Sequence, residues 1–401
     1  MEQAYIIDGI RTPIGNFKGA LSGVRSDDLA ALVIQKLIER NPSVPTDKIE
    51  DVIFGCANQA GDDNRNVARM ALLLAGLPVT VAGETVNRLC ASGMSAVAQA
   101  ARAIKAGDGD VFIAGGVENM TRGPWVISKT ESAFGQEPKM YDSSFGWRFI
   151  NPKLEKMYGA DAMGITAENL AEMYHISRED QDLFALNSQQ KATKSQQNGV
   201  FKEEITPVLI PQKKGDPLSI STDEFIKPSS TLEKLGQLRP AFKKDGTVTA
   251  GNASGLNDGA AALLIASETA VKQYNLTPRA RILSAAVVGV EPKIMGIGPV
   301  EATKKALAKA NLTLADMDVL EMNEAFAAQV LACSRALALA DNDPRINPNG
   351  GAIALGHPLG MSGARIILAA TNALHRQQKR YALATMCIGV GQGYAMVIER
   401  V

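Results

Sequence analysis

The chain has little of what several classes of protein need. Its 401 residues include only 4 cysteines, 3 histidines and 5% aromatic residues, and Lys+Arg and Asp+Glu both number 42. Zero net charge removes the broad positive surface of a nucleic-acid-binding protein, so no nucleic-acid partner is expected. The cysteines are far apart without C-x-x-C spacing, which predicts no bound metal and favours a reducing, cytoplasmic environment.

No apolar stretch is long enough to cross a bilayer. The longest, near residues 70–81, is interrupted by Gly76 and Pro78. Residues 1–8 have an acid where a signal peptide needs cations, and their apolar run is too short. With 46% hydrophobic and 21% charged residues, the composition is typical of a globular protein, and no membrane partner is expected.

What the chain does have is a short phrase that occurs twice. Residues 90–95 read Cys-Ala-Ser-Gly-Met-Ser and residues 357–362 read His-Pro-Leu-Gly-Met-Ser, and the same offset relates residues 51–53 to residues 318–320. This indicates one ancestral unit used twice. Two copies packed about a pseudo-twofold axis would place Cys90 beside His357, the pairing that activates a nucleophilic cysteine.

Strand and helix patterns alternate around both phrases, which predicts an α/β fold. We expect a core half over residues 1–120, a lid or ligand-gripping insert over 121–250 that is richer in Lys, Asp, Pro and Gln, and a second core half over 251–401. The predicted strands are 4–8, 51–54, 110–114, 281–290, 318–322 and 381–386, and the predicted helices are 26–39, 91–106, 166–174, 178–198, 300–310, 324–340 and 362–375. Gly115-Gly116 is expected to close the strand at 110–114.

Cys90 and His357 are the first candidates for chemistry. A helix predicted to begin at Ala91 would direct its N-terminal dipole at the sulfur of Cys90 and lower the pKa of the thiol. The alternative is an inert buried cysteine. His357 lies between Gly356 and Pro358 in a glycine-rich segment, and we favour a functional role over a turn histidine that only bonds backbone.

Cys387 and Asn323 are less certain from local context. Cys387 opens a glycine-rich turn at a strand end, where it is well placed either to meet a ligand or to be a buried strand cysteine. Asn323 lies where a strand gives way to a helix, as an N-cap or as an amide that binds a carbonyl oxygen or a water. The glycine runs match neither a P-loop nor a dinucleotide-binding fingerprint.

Together these segments resemble the thiolase family over essentially the whole chain. The resemblance is carried by residues 86–96, 251–255, 323–326, 347–363 and 384–393. It implies a duplicated five-layered α/β/α/β/α core, a homotetramer or homodimer, and cleavage of a 3-oxoacyl-CoA to acetyl-CoA and a shortened acyl-CoA, reversible as a Claisen condensation. No bound cofactor is implied, and coenzyme A is a co-substrate, so the partners are CoA and acyl-CoA.

The resemblance also implies roles for individual residues. Cys90 would carry the acyl group as a thioester, His357 would remove its proton, and Cys387 would act as general acid and base. Asn323, through a bound water, and His357 would stabilise the thioester enolate. The backbone N–H groups of Cys90 and Gly389 would form the oxyanion hole for the tetrahedral intermediate.

The resemblance also suggests residues that contact the substrate. Ser254 resembles the family serine that touches the pantetheine arm, Met163 matches a loop lining the acyl pocket, and Lys227 falls where family members meet the nucleotide end of CoA. Within the family, residues 62–69, 145–149 and 291–299 resemble the branch that acts on 3-oxoadipyl-CoA in aromatic-acid breakdown. Arg148 is a hypothetical partner for the distal carboxylate of that substrate, with a surface arginine as the alternative.

Three other functions are alternatives. The first is an acetoacetyl-CoA thiolase, although such enzymes often carry His where this chain has Ala162. The second is a decarboxylating condensing enzyme of the ketoacyl-synthase type, which needs His or Asn where this chain has its second Cys. The third is a non-catalytic acyl-CoA-binding protein, which the presence of Cys90, His357 and Cys387 argues against.

Overall fold

The fold is a duplicated arrangement of strands and helices, here taken from a computed structural model that describes residues 2–130 and 132–401. The strands are β1 (Ala4–Arg11), β2 (Gly15–Asn16), β3 (Asp51–Gly55), β4 (Ala82–Val86), β5 (Val111–Asn119), β6 (Trp125–Ile127), β7 (Met140–Asp142), β8 (Val208–Ile210), β9 (Leu218–Ile220), β10 (Asn257–Ser267), β11 (Ala280–Gly289), β12 (Val319–Met322), β13 (Tyr381–Ile388) and β14 (Gln392–Arg400).

The α-helices alternate with these strands in both halves of the core. They are α1 (Ser26–Arg40), α2 (Val67–Leu74), α3 (Ser92–Ala106), α4 (Pro152–Tyr158), α5 (Met163–Met173), α6 (Arg178–Gln197), α7 (Leu232–Gly236), α8 (Glu268–Gln273), α9 (Gly298–Ala310), α10 (Ala327–Ala336), α11 (Ala352–Leu355) and α12 (Leu359–Gln377). Gly107 ends α3 in a left-handed conformation, as the sequence predicts.

The strand order shows the duplication. The first half runs β4-β3-β5-β10-β1, and the second runs β12-β13-β14-β11 with Ile346 bridging Leu320 of β12 where β4 lies beside β3. In both halves the pairing β3/β5 or β12/β13 is parallel, and the next two pairings are antiparallel. The halves join where Tyr5 and Ile6 of β1 pair with Arg281 and Ala280 of β11.

Helices cover and separate the two halves of the sheet. α1 packs on the first half, α9 packs on the second, and α3 and α12 contact each other while touching strands of both halves. Small residues along α3 and α12, such as Ala96, Ala100 and Ala370, are fully buried in the cluster between the sheets. The five-layered α/β/α/β/α arrangement expected from the resemblance is thereby confirmed.

Strand β10 corrects the expected division at residue 251. It lies between β1 and β5 and pairs with β5 from Asp258↔Asn119 to Ala266↔Val111, so these residues belong to the first half although they follow the insert. The sequence pattern predicts a strand but does not report which sheet the strand joins. We propose that the first half comprises residues 2–119 with 257–267, that residues 120–256 are the insert, and that the second half begins at β11.

Two other boundaries differ from expectation. Gly115 and Gly116 lie inside β5 rather than after it. Both positions require glycine, because a Cβ at Gly116 would overlap the carbonyl oxygen of Gly360 and one at Gly115 would overlap that of Ala261. Residues 323–326 are not helical, since Phe326 is bridged to Ala253 in extended conformation, and α10 begins only at Ala327.

Candidate active site

Cys90 lies in a tight turn between β4 and α3. Leu89 has a left-handed φ of 46°, and the hydroxyl of Ser92 closes the turn by accepting from the Arg88 N–H at 2.8 Å and donating to the Leu89 carbonyl at 2.7 Å. The helix begins at Ser92. The thiol is thus held at the N-terminal end of a buried helix, as the sequence predicts.

The structure reverses the expected direction of the shift in the pKa of the Cys90 thiol. Burial raises the pKa of Cys90 to about 11, while hydrogen bonding from the backbone N–H groups of Gly389 and Cys90 counteracts this. The negative charge of Glu118 adds to the rise. Loss of hydration therefore outweighs these two hydrogen bonds, and Cys90 is a thiol at neutral pH until a base takes its proton.

His357 is fixed by its backbone N–H and by the ring nitrogen Nδ1. Its N–H donates to Asn257 Oδ1 at 3.0 Å, and Nδ1 lies 2.6 Å from Ser362 Oγ. The Ser362 hydroxyl donates its own proton to the Pro358 carbonyl at 2.8 Å, so it must accept from Nδ1–H. This assigns the tautomer in which Nε2 is unprotonated and free to act as a base.

Burial also controls the charge of His357. Loss of hydration, with a smaller contribution from the nearby Arg365 cation, lowers the pKa of His357 to about 3. The imidazole is therefore neutral at neutral pH, which a general base requires.

Asn323 directs its amide at the same imidazole. Nδ2 lies 3.4 Å from His357 Nε2, and Asn323 is 1% exposed. Among the described residues Oδ1 has no hydrogen-bond partner. The N-cap alternative for Asn323 is wrong, because α10 begins at Ala327 and Phe326 precedes it. The amide is available to a ligand or a water.

Cys387 and Gly389 reach the site from the hairpin between β13 and β14. Cys387 is the residue before the end of β13 and pairs with Gly393. Burial raises the pKa of Cys387 well above its usual range, and the charges of Cys90 and Cys333 add to this. A Cβ at Gly389 would lie 3.3 Å from Leu89 Cδ1 and 3.7 Å from Met163 Sδ, so Gly389 faces the turn that carries Cys90.

The four residues expected to contact the substrate differ in their surroundings. Met163, at the start of α5, lies over Gly389, and the Ser254 hydroxyl donates to the Ala325 carbonyl at 3.1 Å, next to Asn323 and Glu324. Arg148 donates to the carbonyls of Ser143 at 2.7 Å and Asn58 at 3.3 Å. Lys227 is exposed with its ammonium 4.7 Å from the centre of the Phe225 ring.

Two family models match this chain. Residues 4–269 match the family model described as Thiolase, N-terminal domain, and residues 276–400 match Thiolase, C-terminal domain. The chain belongs to the thiolase family. It is therefore an acyltransferase, and the ketoacyl-synthase alternative is set aside. The boundary between the two matches agrees with the assignment of β10 to the first half.

Individual thiolases match along their full length. The chain is 60% identical over 401 residues to a protein of Escherichia coli named "Beta-ketoadipyl-CoA thiolase", with 100% of both chains covered. It is 61% identical to one of the same name from Acinetobacter baylyi, again covering 100% of both. A solved structure of the Bacillus anthracis acetyl-CoA acetyltransferase has a TM-score of 0.93 at 41% identity, covering 100% of this chain and 99% of the other.

A thiolase structure that contains CoA is also similar. Human mitochondrial 3-ketoacyl-CoA thiolase in complex with CoA has a TM-score of 0.91 at 40% identity and covers 100% of this chain and 98% of the other. Within residues 2–130 and 132–401 of the present thiolase, every helix is too short or too polar to cross a lipid bilayer.

The structure adds site residues of this thiolase that sequence reasoning missed. Ser362 and Asn257 orient His357, and Glu118 accepts from the Gly360 N–H at 2.8 Å, three residues after His357. Ser362 ends the repeated phrase, which was a usable signal. The sequence contains no comparable signal for Asn257 or Glu118, because only the folded sheet brings β10 and β5 to the segment around His357.

Glu118 also belongs to a buried group with Cys56 and Asp63. Cys56 Sγ lies 3.5 Å from Asp63 Oδ2 and 3.9 Å from Glu118 Oε1. Glu118 further accepts from the backbone N–H groups of Ala57 and Asn58. Burial raises the pKa of Glu118 to about 7. Through these hydrogen bonds and the one from the Gly360 N–H, Glu118 ties the loop at residues 56–63 to α12.

Proposed function

We propose that this thiolase cleaves 3-oxoadipyl-CoA with CoA to give acetyl-CoA and succinyl-CoA, through an acyl group on Cys90. The observation that carries the substrate is the 60% identity over the full length to relatives named for β-ketoadipyl-CoA. The contact of the Asn323 amide with His357 Nε2, and the hydrogen bond from the Gly389 N–H to Cys90, support the chemistry.

The first step is attack of the Cys90 sulfur on the 3-oxo carbon, with transfer of the thiol proton to His357 Nε2. A thiol with a pKa near 11 does not spontaneously protonate an imidazole with a pKa near 3. The transfer therefore accompanies attack, when the negative charge moves to the former carbonyl oxygen. The backbone N–H groups of Cys90 and Gly389 stabilise that oxygen, and one such donor is typically worth about 2.7–4 kcal/mol.

The second step breaks the bond between C2 and C3. The electron pair moves to the acetyl-CoA carbon and its thioester oxygen, which accepts from the imidazolium of His357 and from Asn323 through a water. The Cys387 thiol then protonates the carbon and releases acetyl-CoA. The thioester on Cys90 remains.

The third step transfers the acyl group to CoA. The Cys387 thiolate takes the proton of the incoming CoA thiol, whose sulfur attacks the thioester carbon. Cys90 leaves and recovers its proton from His357, so every group returns to its starting state. The covalent intermediate predicts ping-pong kinetics.

The surroundings of the site support an acyl-CoA substrate. The insert brings Met163 over Gly389, and Phe242 packs edge-on against Phe326 with ring centres 6.0 Å apart, which gives an apolar wall. We assign CoA binding to the insert, with Ser254 near the pantetheine arm and Lys227 near the nucleotide. CoA is a co-substrate in this scheme, and no bound cofactor takes part.

A homotetramer or homodimer is also proposed. The edge strand β4 leaves Ala82 and Glu84 exposed, and the hairpin of β6 and β7 exposes Trp125, Ile127 and Met140 to between 60% and 71%. An unpaired strand edge and an apolar hairpin are the surfaces that subunits cover. The four free cysteines support a reducing compartment, the cytoplasm.

The test is CoA-dependent cleavage of 3-oxoadipyl-CoA and acetoacetyl-CoA by the purified protein, compared as kcat/KM, with trapping of the acyl-enzyme by mass spectrometry. We expect a preference for 3-oxoadipyl-CoA and a succinyl adduct on Cys90 that Cys90→Ser lacks. A preference for acetoacetyl-CoA would make the enzyme a short-chain thiolase. Binding without an adduct would favour an acyl-CoA-binding protein.

A further inference from the structure

The proposed oxyanion hole is assembled from two halves of the molecule. The Cys90 N–H comes from the turn before α3, whereas the Gly389 N–H comes from the hairpin between β13 and β14. Their separation must be held to a fraction of an ångström for both to bind one oxygen. Some contact between the two segments therefore has to set that distance.

Arg88 makes such a contact. Its Nη1 donates to Gln392 Oε1 at 3.0 Å, and its guanidinium carbon lies 5.8 Å from the centre of the Tyr394 ring. Tyr394 is 1% exposed, and its hydroxyl accepts from Arg102 of α3 at 3.3 Å. Among the described residues, Arg88–Gln392 is the one side-chain-to-side-chain hydrogen bond between residues 86–92 and residues 387–393.

The turn that carries Arg88 is rigid enough to transmit its position. Only Leu89 separates Arg88 from Cys90, and Ser92 bonds the backbone on both sides of Leu89. At the other end, Gln392 pairs with Ile388, the residue before Gly389. Each partner is thus within three residues of an oxyanion-hole N–H group.

We propose that Arg88 is a positioning residue that joins the turn carrying Cys90 to the β13–β14 hairpin and so aligns the N–H groups of Cys90 and Gly389. It acts through the backbone and touches no reacting atom. The inference rests on the proposed roles of Cys90 and Gly389. It predicts that loss of the Arg88–Gln392 hydrogen bond impairs chemistry more than substrate binding.

The test is a double-mutant cycle of Arg88→Ala, Gln392→Ala and the double variant. We expect each single variant to lower kcat about 10- to 100-fold, the effect of a displacement near 1 Å, with KM for CoA unchanged within about twofold. The double variant should be no slower than the slower single variant, because both remove the same contact. Arg88→Lys should restore part of kcat, and Arg25→Ala, a surface arginine paired with Asp27, should match wild type.

Iodoacetamide alkylation of Cys90 gives a readout that needs no substrate. Misalignment of the Gly389 N–H removes one influence that lowers the thiol pKa, so the pH profile of alkylation should move upward in both single variants. If Arg88→Ala does not fold, Gln392→Ala carries the test, because it keeps the guanidinium. Wild-type kcat and an unshifted profile in Gln392→Ala, or multiplicative losses in the double variant, would overturn the proposal. If wild type alkylates normally but cleaves neither 3-oxoacyl-CoA, the proposed function fails instead.

Discussion

Gly93 of α3 and Gly360 of α12 lie against each other: a Cβ on Gly93 would come within 2.6 Å of the Gly360 carbonyl oxygen. The two residues hold the same position in the repeated phrase. In the other direction, a Cβ on Gly363 would overlap the backbone of Met94. Gly360 itself packs on the first half of the sheet, since a Cβ there would overlap the carbonyl oxygens of Val117 and Gly55. The contact between α3 and α12 brings the segment with Cys90 to the segment with His357.

Replacing Gly93 by Ala should therefore destabilise the protein. The backbones at this contact cannot separate without moving both site segments, and overpacking of this kind typically costs about 1–3 kcal/mol. Urea unfolding would measure the loss. Gly236→Ala is the matched control, since nothing lies within 4 Å of its Cβ position at the end of α7. Equal stability of the two variants would contradict close packing at Gly93.

Ser362→Ala should slow the reaction without unfolding the protein. The hydroxyl accepts from His357 Nδ1–H, and the ring becomes cationic during the reaction, so the hydrogen bond strengthens then. A hydrogen bond to a charged group is worth about 1.5–3 kcal/mol, which corresponds to roughly 10- to 100-fold in kcat. Steady-state kinetics would measure the change. Thr371→Val removes a hydroxyl that donates to the Ile367 carbonyl on the same helix and should leave kcat unchanged. A similar loss in both variants would show a general helix effect.

Alkylation of Cys90 should accelerate with pH across the neutral range and beyond. The thiolate reacts, and because burial raises the pKa of Cys90 to about 11, the thiolate fraction should rise about tenfold per pH unit from pH 7 to pH 10. The rate of iodoacetamide inactivation measures this, with Cys90→Ser confirming the site of labelling. A plateau with a midpoint near pH 7 would instead show a thiolate–imidazolium pair in the free enzyme.

Arg148→Ala should distinguish substrates if Arg148 binds the distal carboxylate. We expect a loss in kcat/KM of at least about tenfold with 3-oxoadipyl-CoA, equivalent to about 1.4 kcal/mol, and little change with acetoacetyl-CoA, which has no second carboxylate. Arg148→Lys serves as the charge-preserving control. The guanidinium already bonds two backbone carbonyls, so an equal loss on both substrates would assign it a purely structural role in the loop at residues 143–148.

The sequence predicted secondary structure correctly where interactions between residues close in sequence determine it. The α-helix over residues 92–106 follows from its alanine-rich pattern and the glycine after it, and α6 begins with the capping box of Ser177 and Asp180. The predicted strand end at Gly115-Gly116 was wrong because these glycines leave room for the backbones of Gly360 and Ala261, which are distant in sequence, and do not form a turn. The direction of the Cys90 pKa was wrong because burial is not a local property.

The sequence by itself determined the duplication, the α/β class, and the identity of Cys90, His357 and Cys387 as candidates, because repeats, periodicity and residue chemistry are written along the chain. The tertiary structure decided which half β10 joins, which proton His357 carries, and how Arg88 and Gln392 connect the halves. These depend on contacts between residues far apart in sequence, such as His357 with Asn257 and Arg88 with Gln392. Only burial of both halves around α3 and α12 sets the distances and the loss of hydration that give the site its protonation state.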